Sequence, residues 1–287
     1  TSETGSIQRA FEYTGGGFMT EHRADPALET FLKSLRLPSI VEQYRQVSDR
    51  AEREGWSFTQ YLKELAELEV EGRRIRKLQR LQQRSRLPKD KILSSFDLTR
   101  MPVKIRRIVP ELCTGGFVDR AENILAFGLP GRGKTHLVCA IAHELIKKEI
   151  PVLFFSTQQL VSQLLRTKKD YELDLAIKKL DKFPVIILDD IGYVKQNREE
   201  MEVLFTLLSE RYERKSVMIT SDLVFSQWEQ IFRDPLTTAA AIDRIIHHAF
   251  ILEISESVNS YRMDQACKRL GITTVDDAKK GDSANDG

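Results

Sequence analysis

Eight residues carry the most specific chemistry in the chain: Gly128-Leu129-Pro130-Gly131-Arg132-Gly133-Lys134-Thr135. They fit the spacing G-x-x-x-x-G-K-[ST], in which glycines let the backbone wrap phosphate groups with its N–H groups pointing inward. Lys134 is expected to reach the β- and γ-phosphates of a nucleoside triphosphate, ATP, and the Thr135 hydroxyl to ligate Mg²⁺. Gly128, Pro130, Gly131, Arg132, Gly133 and His136 complete the predicted nucleotide-binding set. Further along, "VIILDDIG" (185–192) ends an apolar run in Asp189-Asp190. Asp189 is expected to hold the Mg²⁺ shell, and Asp190 to orient or deprotonate an attacking water. A third polar end, Thr220-Ser221-Asp222, closes "SVMITSD". One of these three touches the γ-phosphate or its water if the strand order places them between the other two; an ordinary strand exit is the plainer reading.

Such residues need a scaffold that delivers them to one edge. Five short apolar runs do this: "NILAF" (123–127), "PVLFF" (151–155), "PVIILD" (184–189), "SVMIT" (216–220) and "AFILEI" (249–254). Segments of helix length separate them. Near-continuous apolar strands alternating with helices predict an α/β fold with a buried parallel sheet, covered on both faces. Its ligands gather at the carboxyl ends of the strands. Before it, Leu28, Phe31, Leu32 and Leu35 recur at helical spacing, Pro38 punctuates, and Ile40, Val41 and Tyr44 begin a second stripe. Ser57 is a predicted N-cap for a helix containing Tyr61, Leu62, Leu65 and Leu68. The expected organisation is a tag remnant or upstream read-through at 1–18, disordered; a small all-helical N-terminal domain at 19–92 that binds a partner or DNA; the α/β domain at 93–270; and a disordered tail at 271–287.

Bulk charge predicts no partner, since 44 basic residues face 42 acidic ones among 287. Its distribution says more. Residues 71–91 hold nine basic and two acidic side chains. A one-sign excess on a predicted helix suits phosphate neutralisation with counterion release. Arg73, Arg74, Arg76, Lys77 and Arg80 are therefore candidate DNA contacts; a partner protein or an idle solvated face are the alternatives. Cys113, Cys139 and Cys267 show no paired spacing, which argues against a disulfide framework or zinc site. Cys139 reads as a small core residue. No apolar run approaches the ~20 residues of a membrane span, and no secretory h-region is seen, so a cytoplasmic protein is expected.

The combination resembles the AAA+ ATPases, and more narrowly the IstB/DnaC group of transposition helpers and helicase loaders. "SFDLTRMPVKIRRI", "NILAFGLPGRGKTHLVCAIAHELIKK", "VIILDDIGYV", "MITSDLVFSQW", "AIDRIIHHAFILEI" and "SYRMD" carry the resemblance, from about Leu28 to Leu270. The helical "LKSLRLPSIVEQY" opening is similar to IstB rather than DnaC. The resemblance implies an AAA+ P-loop core with a five-stranded parallel sheet. It implies that Arg244 is an arginine finger completing a neighbouring subunit's ATP site, and that Arg262 is a second sensor near the phosphates. Arg244 paired with Asp243, and Arg262 in a structural role, are the plainer alternatives. The family usually carries Asn where this chain has Asp222, so either Thr220 or Ser221 takes the first-sensor role or hydrolysis is slow. Phe96 packs near the adenine or in the core. Arg166, Lys168 and Lys169, in the segment where this group adds a helix, face DNA or simply solvate a helix end. His247-His248, without companion ligands nearby in sequence, reads as packing or interface contacts.

The resemblance implies an ATP-dependent helper of an insertion sequence. It would assemble as a homo-oligomer on duplex DNA, recruit a transposase, and be reset by hydrolysis, with no membrane partner. A DnaC-like helicase loader and a nucleotide-gated DNA clamp with little hydrolysis are the alternatives.

Overall fold

A computed structural model describes residues 25–193, 198–223 and 245–254. Residues 1–18, the tail 271–287, Arg244, Arg262 and Cys267 lie outside the described residues. The boundary between two compact units falls between Arg76 and Lys77, within one long helix.

The N-terminal unit is built from α1 (Pro26–Ser34), α2 (Pro38–Glu54) and the first part of α3 (Phe58–Ser85). Asp25 caps α1 by accepting from the N–H groups of Ala27 and Leu28, and Pro26 supplies the fixed φ that suits a first helical position. Ser57 caps α3, as expected, by accepting from Gln60 N at 3.2 Å. Helix α2 has no side-chain cap of its own. Glu69, from α3, takes that place by accepting from Ser39 N at 2.9 Å and Ile40 N at 3.4 Å. The apolar centre is small: Tyr44, Val47 and Leu65 are buried, with Leu32, Ile40, Trp56, Tyr61 and Leu68 packed against them. Of the first predicted stripe only Leu32 reaches this centre; Phe31 and Leu35 remain about two-thirds exposed at 65% and 66%. A 3.6-residue period says which side of a helix is apolar, not that anything covers it.

The second unit carries the sheet. Strands β1 (Asn123–Phe127), β2 (Val152–Ser156), β3 (Val185–Asp189), β4 (Ser216–Ser221) and β5 (Ala249–Glu253) match the five apolar runs. All neighbours pair in parallel, in the order β2-β3-β4-β1-β5. Strand β4 therefore lies between β1, which enters the glycine loop, and β3, which ends in the acidic pair. Helices α4 (Val103–Leu112), α5 (Gly116–Asp119) and α6 (Lys134–Lys147) join one apolar cluster with the alternate strand residues Ile124, Ala126, Val185 and Ile187. Helices α7 (Thr157–Lys169), α8 (Leu173–Leu180) and α9 (Arg198–Arg211) join the other, with Leu125, Phe127, Ile186 and Leu188. Two faces buried by helices explain why these strands read as continuous apolar runs rather than alternating ones. Cys139 is fully buried in α6, and burial pushes its thiol up to about 12, consistent with a core residue. Among the described residues no helix is long and apolar enough to cross a membrane.

Candidate nucleotide-binding site

Strand β1 runs into the glycine loop and α6 runs out of it. Two glycines are required by the space around them. A Cβ on Gly128 would lie 2.5 Å from Ile254 O, and one on Gly133, at φ +92°, would lie 3.0 Å from the Phe96 ring. The loop is thus wedged between the end of β5 and an aromatic ring, which places Phe96 against the loop itself. His136 packs against the same ring, tilted by 50° with centroids 4.9 Å apart, and its Nε2 lies 3.2 Å from both Ile92 O and Ser95 Oγ. Burial holds the His136 imidazole below its usual pKa despite the hydrogen bond with Ile92. It therefore adds structure to the loop rather than a second cation. Within the loop, Arg132 has Nε and Nη1 buried without a hydrogen-bond partner.

The acidic pair is held by a hydroxyl that is itself fully buried. Thr220 Oγ1 donates to Asp189 Oδ1 at 2.7 Å and accepts from Asp190 N at 2.9 Å. Thr157 Oγ1 donates to Asp189 O at 2.9 Å. Asp190 sits in the left-handed region at φ 59°, where the backbone turns sharply as β3 ends. Thr220 thus acts on Asp189 and Asp190 rather than facing outward. Ser221 is equally buried, and its Oγ accepts from Leu223 N at 3.1 Å. Of the three polar residues ending β4, only Asp222 opens toward the loop.

There it meets Lys134. The ammonium, 5% exposed, donates to Gly128 O at 2.7 Å, to Leu129 O at 3.0 Å and to Asp222 Oδ1. An ammonium has three donors, and all three are satisfied by protein. The sequence marked Asp222 only as a departure from the family's Asn; its pairing with Lys134 was not legible there, nor was the part played by Thr157. Lys134 opens α6 and Asp222 follows β4, elements that only the fold brings together, so no local pattern announces the pair. Thr135 lies half-buried in the first turn of α6.

The predicted DNA contacts are mostly engaged with other groups of the protein. Arg73 donates to Glu69 Oε1 at 2.9 Å and to Arg36 O at 3.1 Å; Arg76 donates to Glu69 at 3.0 Å and to Ser39 Oγ at 2.9 Å. Both side chains serve the α2 cap. Arg74 pairs with Glu71, Lys77 with Glu149, and Lys168 with Glu202. Arg80 also has an interaction partner. Arg166 and Lys169 lie exposed on the last turns of α7.

Comparison with known proteins agrees with this architecture. The profile of the family described as "IstB-like ATP binding protein" matches residues 30–269. A Sinorhizobium fredii protein, provisionally named an insertion sequence ATP-binding protein, is 41% identical over 240 residues, covering 83% of this chain and 80% of its own. A Pseudomonas aeruginosa protein, provisionally named the ATP-binding protein of insertion sequence IS21, is 33% identical, covering 86% of this chain and 92% of its own. Among solved structures, DnaI superposes with a TM-score of 0.50 at 23% identity, over 59% of this chain and 95% of its own, a likeness of fold. The sheet order, the glycine loop and the acidic pair are those of an AAA+ P-loop fold, and the chain belongs to the IstB-like ATP binding protein family.

Proposed function

We propose that this protein is an ATP-hydrolysing, DNA-binding helper of an insertion sequence. ATP binding promotes a homo-oligomer on duplex DNA in the cytoplasm, the oligomer recruits or activates a transposase, and hydrolysis resets it. The observation that carries the reading is the buried Thr220 hydroxyl tying Asp189 and Asp190 into one unit beside the glycine loop. A binding loop alone needs no such orienting device.

The loop suits a triphosphate on its own chemistry. Lys134 is already paired with an anionic group, and Arg132 carries two buried nitrogens without partners. The loop N–H groups, Lys134 and Arg132 would hold phosphates, with Thr135 and Asp189 holding Mg²⁺. The metal, when bound, neutralises phosphate charge. Asp190 orients the attacking water, and Arg244 serves a neighbouring subunit's site. Residues 19–92 provide partner and DNA contacts, and Arg166 and Lys169 provide further DNA contacts of their own.

The test is ATP turnover measured with and without duplex DNA and the cognate transposase. Lys134→Ala is expected to lose nucleotide binding. Asp190→Asn is expected to keep binding and lose about 100-fold or more in kcat, the scale of general-base effects. Mixing Arg244→Ala with Asp190→Asn subunits should restore part of the activity. Wild-type protein that binds ATP but shows no turnover under any of these conditions would overturn hydrolysis. The Lys134–Asp222 pair favours that second reading, a nucleotide-gated clamp that turns over little.

A further inference from the structure

At the end of the sheet opposite the glycine loop, where the parallel strands begin, three side chains converge. Glu213 lies in the turn between α9 and β4; His247 and His248 precede β5. One ligand atom from each falls within 4.8 Å of the others. Glu213 Oε1 is 4.0 Å from His247 Nδ1 and 3.7 Å from His248 Nε2, and the two imidazole centroids are 4.1 Å apart. We propose that Glu213, His247 and His248 form a binding site for a divalent transition-metal cation of the Zn²⁺ class. Two imidazoles and one carboxylate suit Zn²⁺, Co²⁺ or Ni²⁺, whereas Mg²⁺ and Ca²⁺ select oxygen. At metal–ligand bonds of about 2.0–2.2 Å, tetrahedral neighbours stand roughly 3.3 Å apart. The observed separations reach that by rotation of exposed side chains. Their exposure leaves the remaining coordination position to water or a further ligand.

The backbone under these ligands is fixed by two buried polar residues. Arg211, 1% exposed, donates to Phe183 O at 3.0 Å, Pro184 O at 3.1 Å and Ser216 O at 3.0 Å. Its own carbonyl accepts from Arg214 N at 3.0 Å and Lys215 N at 2.9 Å. The turn holding Glu213, at φ 54°, is thereby pinned from both sides. On the histidine side, Asn123 N donates to His248 O at 2.7 Å and Asn123 Nδ2 to Ile245 O at 3.0 Å. Its Oδ1 accepts from Val217 N at 2.8 Å, so one buried amide joins the histidine turn to the start of β4. The Tyr212 hydroxyl orients the His247 ring through Nδ1 at 3.1 Å and is the group that must yield if that nitrogen ligates. Only rotamers remain to be ordered, which keeps the cost of binding small. The sequence hid the site because the third ligand comes from a different turn.

The full chain, carrying no polyhistidine tag, is titrated with Zn²⁺ by calorimetry and with Co²⁺ by visible d–d absorption. One equivalent is expected, with loss of binding in both His247→Ala and His248→Ala, weakening of about tenfold or more in Glu213→Gln, and unchanged ATP affinity in all three. Stoichiometric binding that persists in the His247→Ala/His248→Ala double variant overturns the site, as does a wild-type chain that gives no Co²⁺ band. A second measurement needs no variant. Zn²⁺ should protect His247 and His248 from diethylpyrocarbonate, read by mass spectrometry; equal modification with and without Zn²⁺ refutes the proposal.

Discussion

The two units handle burial in contrasting ways. In the sheet unit, strands β1 and β3 lie between two apolar layers, with Ile124, Leu125, Ile186, Ile187 and Leu188 each at 0% exposure. Among the described residues of the helical unit three apolar side chains are buried, while Phe58, Leu62 and Val70 of α3 stay 94%, 66% and 68% exposed. Each unit nonetheless contains a shielded carboxylate–cation knot. Glu69 gathers Arg73, Arg76 and two backbone N–H groups of its own unit. Asp222 holds the lysine of the glycine loop. Chemically similar pairs thus have different prospects under the proposed function: the first ties helices of its own unit together, and the second lies where phosphate would enter.

The largest expected effect breaks the sheet layer. Leu188→Ala in β3 should cost about 2–5 kcal/mol, the transfer loss plus the cavity left in a close-packed layer. Urea denaturation of the full chain measures it; a loss below about 1 kcal/mol would show that this layer repacks as freely as a surface. Next comes Glu69→Gln, expected to cost about 1–3 kcal/mol by leaving shielded donors underserved. Hydrogen exchange should localise the loss to residues 38–54 and the start of α3, leaving the sheet protected. The same group gives a pH dependence. Burial alone would raise the Glu69 pKa, but the hydrogen bonds from Arg73, Ser39 and Ile40 and the charge of Arg76 outweigh it and hold it below the ordinary 4.5. A depressed carboxylate contributes its full stability above the unfolded value and loses it as pH falls through the folded one. Protection of α2 should therefore drop in acid below the ordinary glutamate range, and Glu69→Gln should abolish that drop.

The contrast also explains what was legible in the sequence. Strands buried on both faces announce themselves, so the five apolar runs gave the sheet with ends shifted by at most a residue or so. The glycine loop and Asp189-Asp190 were legible because their spacing is local. Thr220 was singled out, but its partners across the strands were not readable: a hydroxyl aimed at Asp189 looks in sequence like one aimed at solvent. Arg73 and Arg76 looked like part of a uniform basic face until Glu69 and Ser39 appeared beside them. Phe31 and Leu35 looked like core because periodicity records an apolar side without recording its cover.

A smaller effect sharpens the comparison of the two knots. Asp222→Asn keeps the side chain's shape, removes the charge that competes for Lys134, and removes repulsion toward phosphate. Nucleotide affinity should tighten by about tenfold, roughly 1.4 kcal/mol, as read by fluorescent-nucleotide competition. Unchanged or weaker binding would place Asp222 with Glu69, as a fixed structural partner.

The smallest effect is expected where the helical unit exposes most apolar surface. Phe58 lies in the first turn of α3 beside the Ser57 cap, and its side chain has little contact to lose. Phe58→Ser leaves the cap in place, so stability should change by no more than about 0.5 kcal/mol, as for other surface substitutions. The measurement is thermal melting at several protein concentrations. A ring standing in water predicts curves that superpose for both proteins at every concentration. A loss above about 1 kcal/mol that grows with concentration means the ring is covered by a second copy, and the thin core of the helical unit would then be completed by assembly, whereas the sheet unit completes its own.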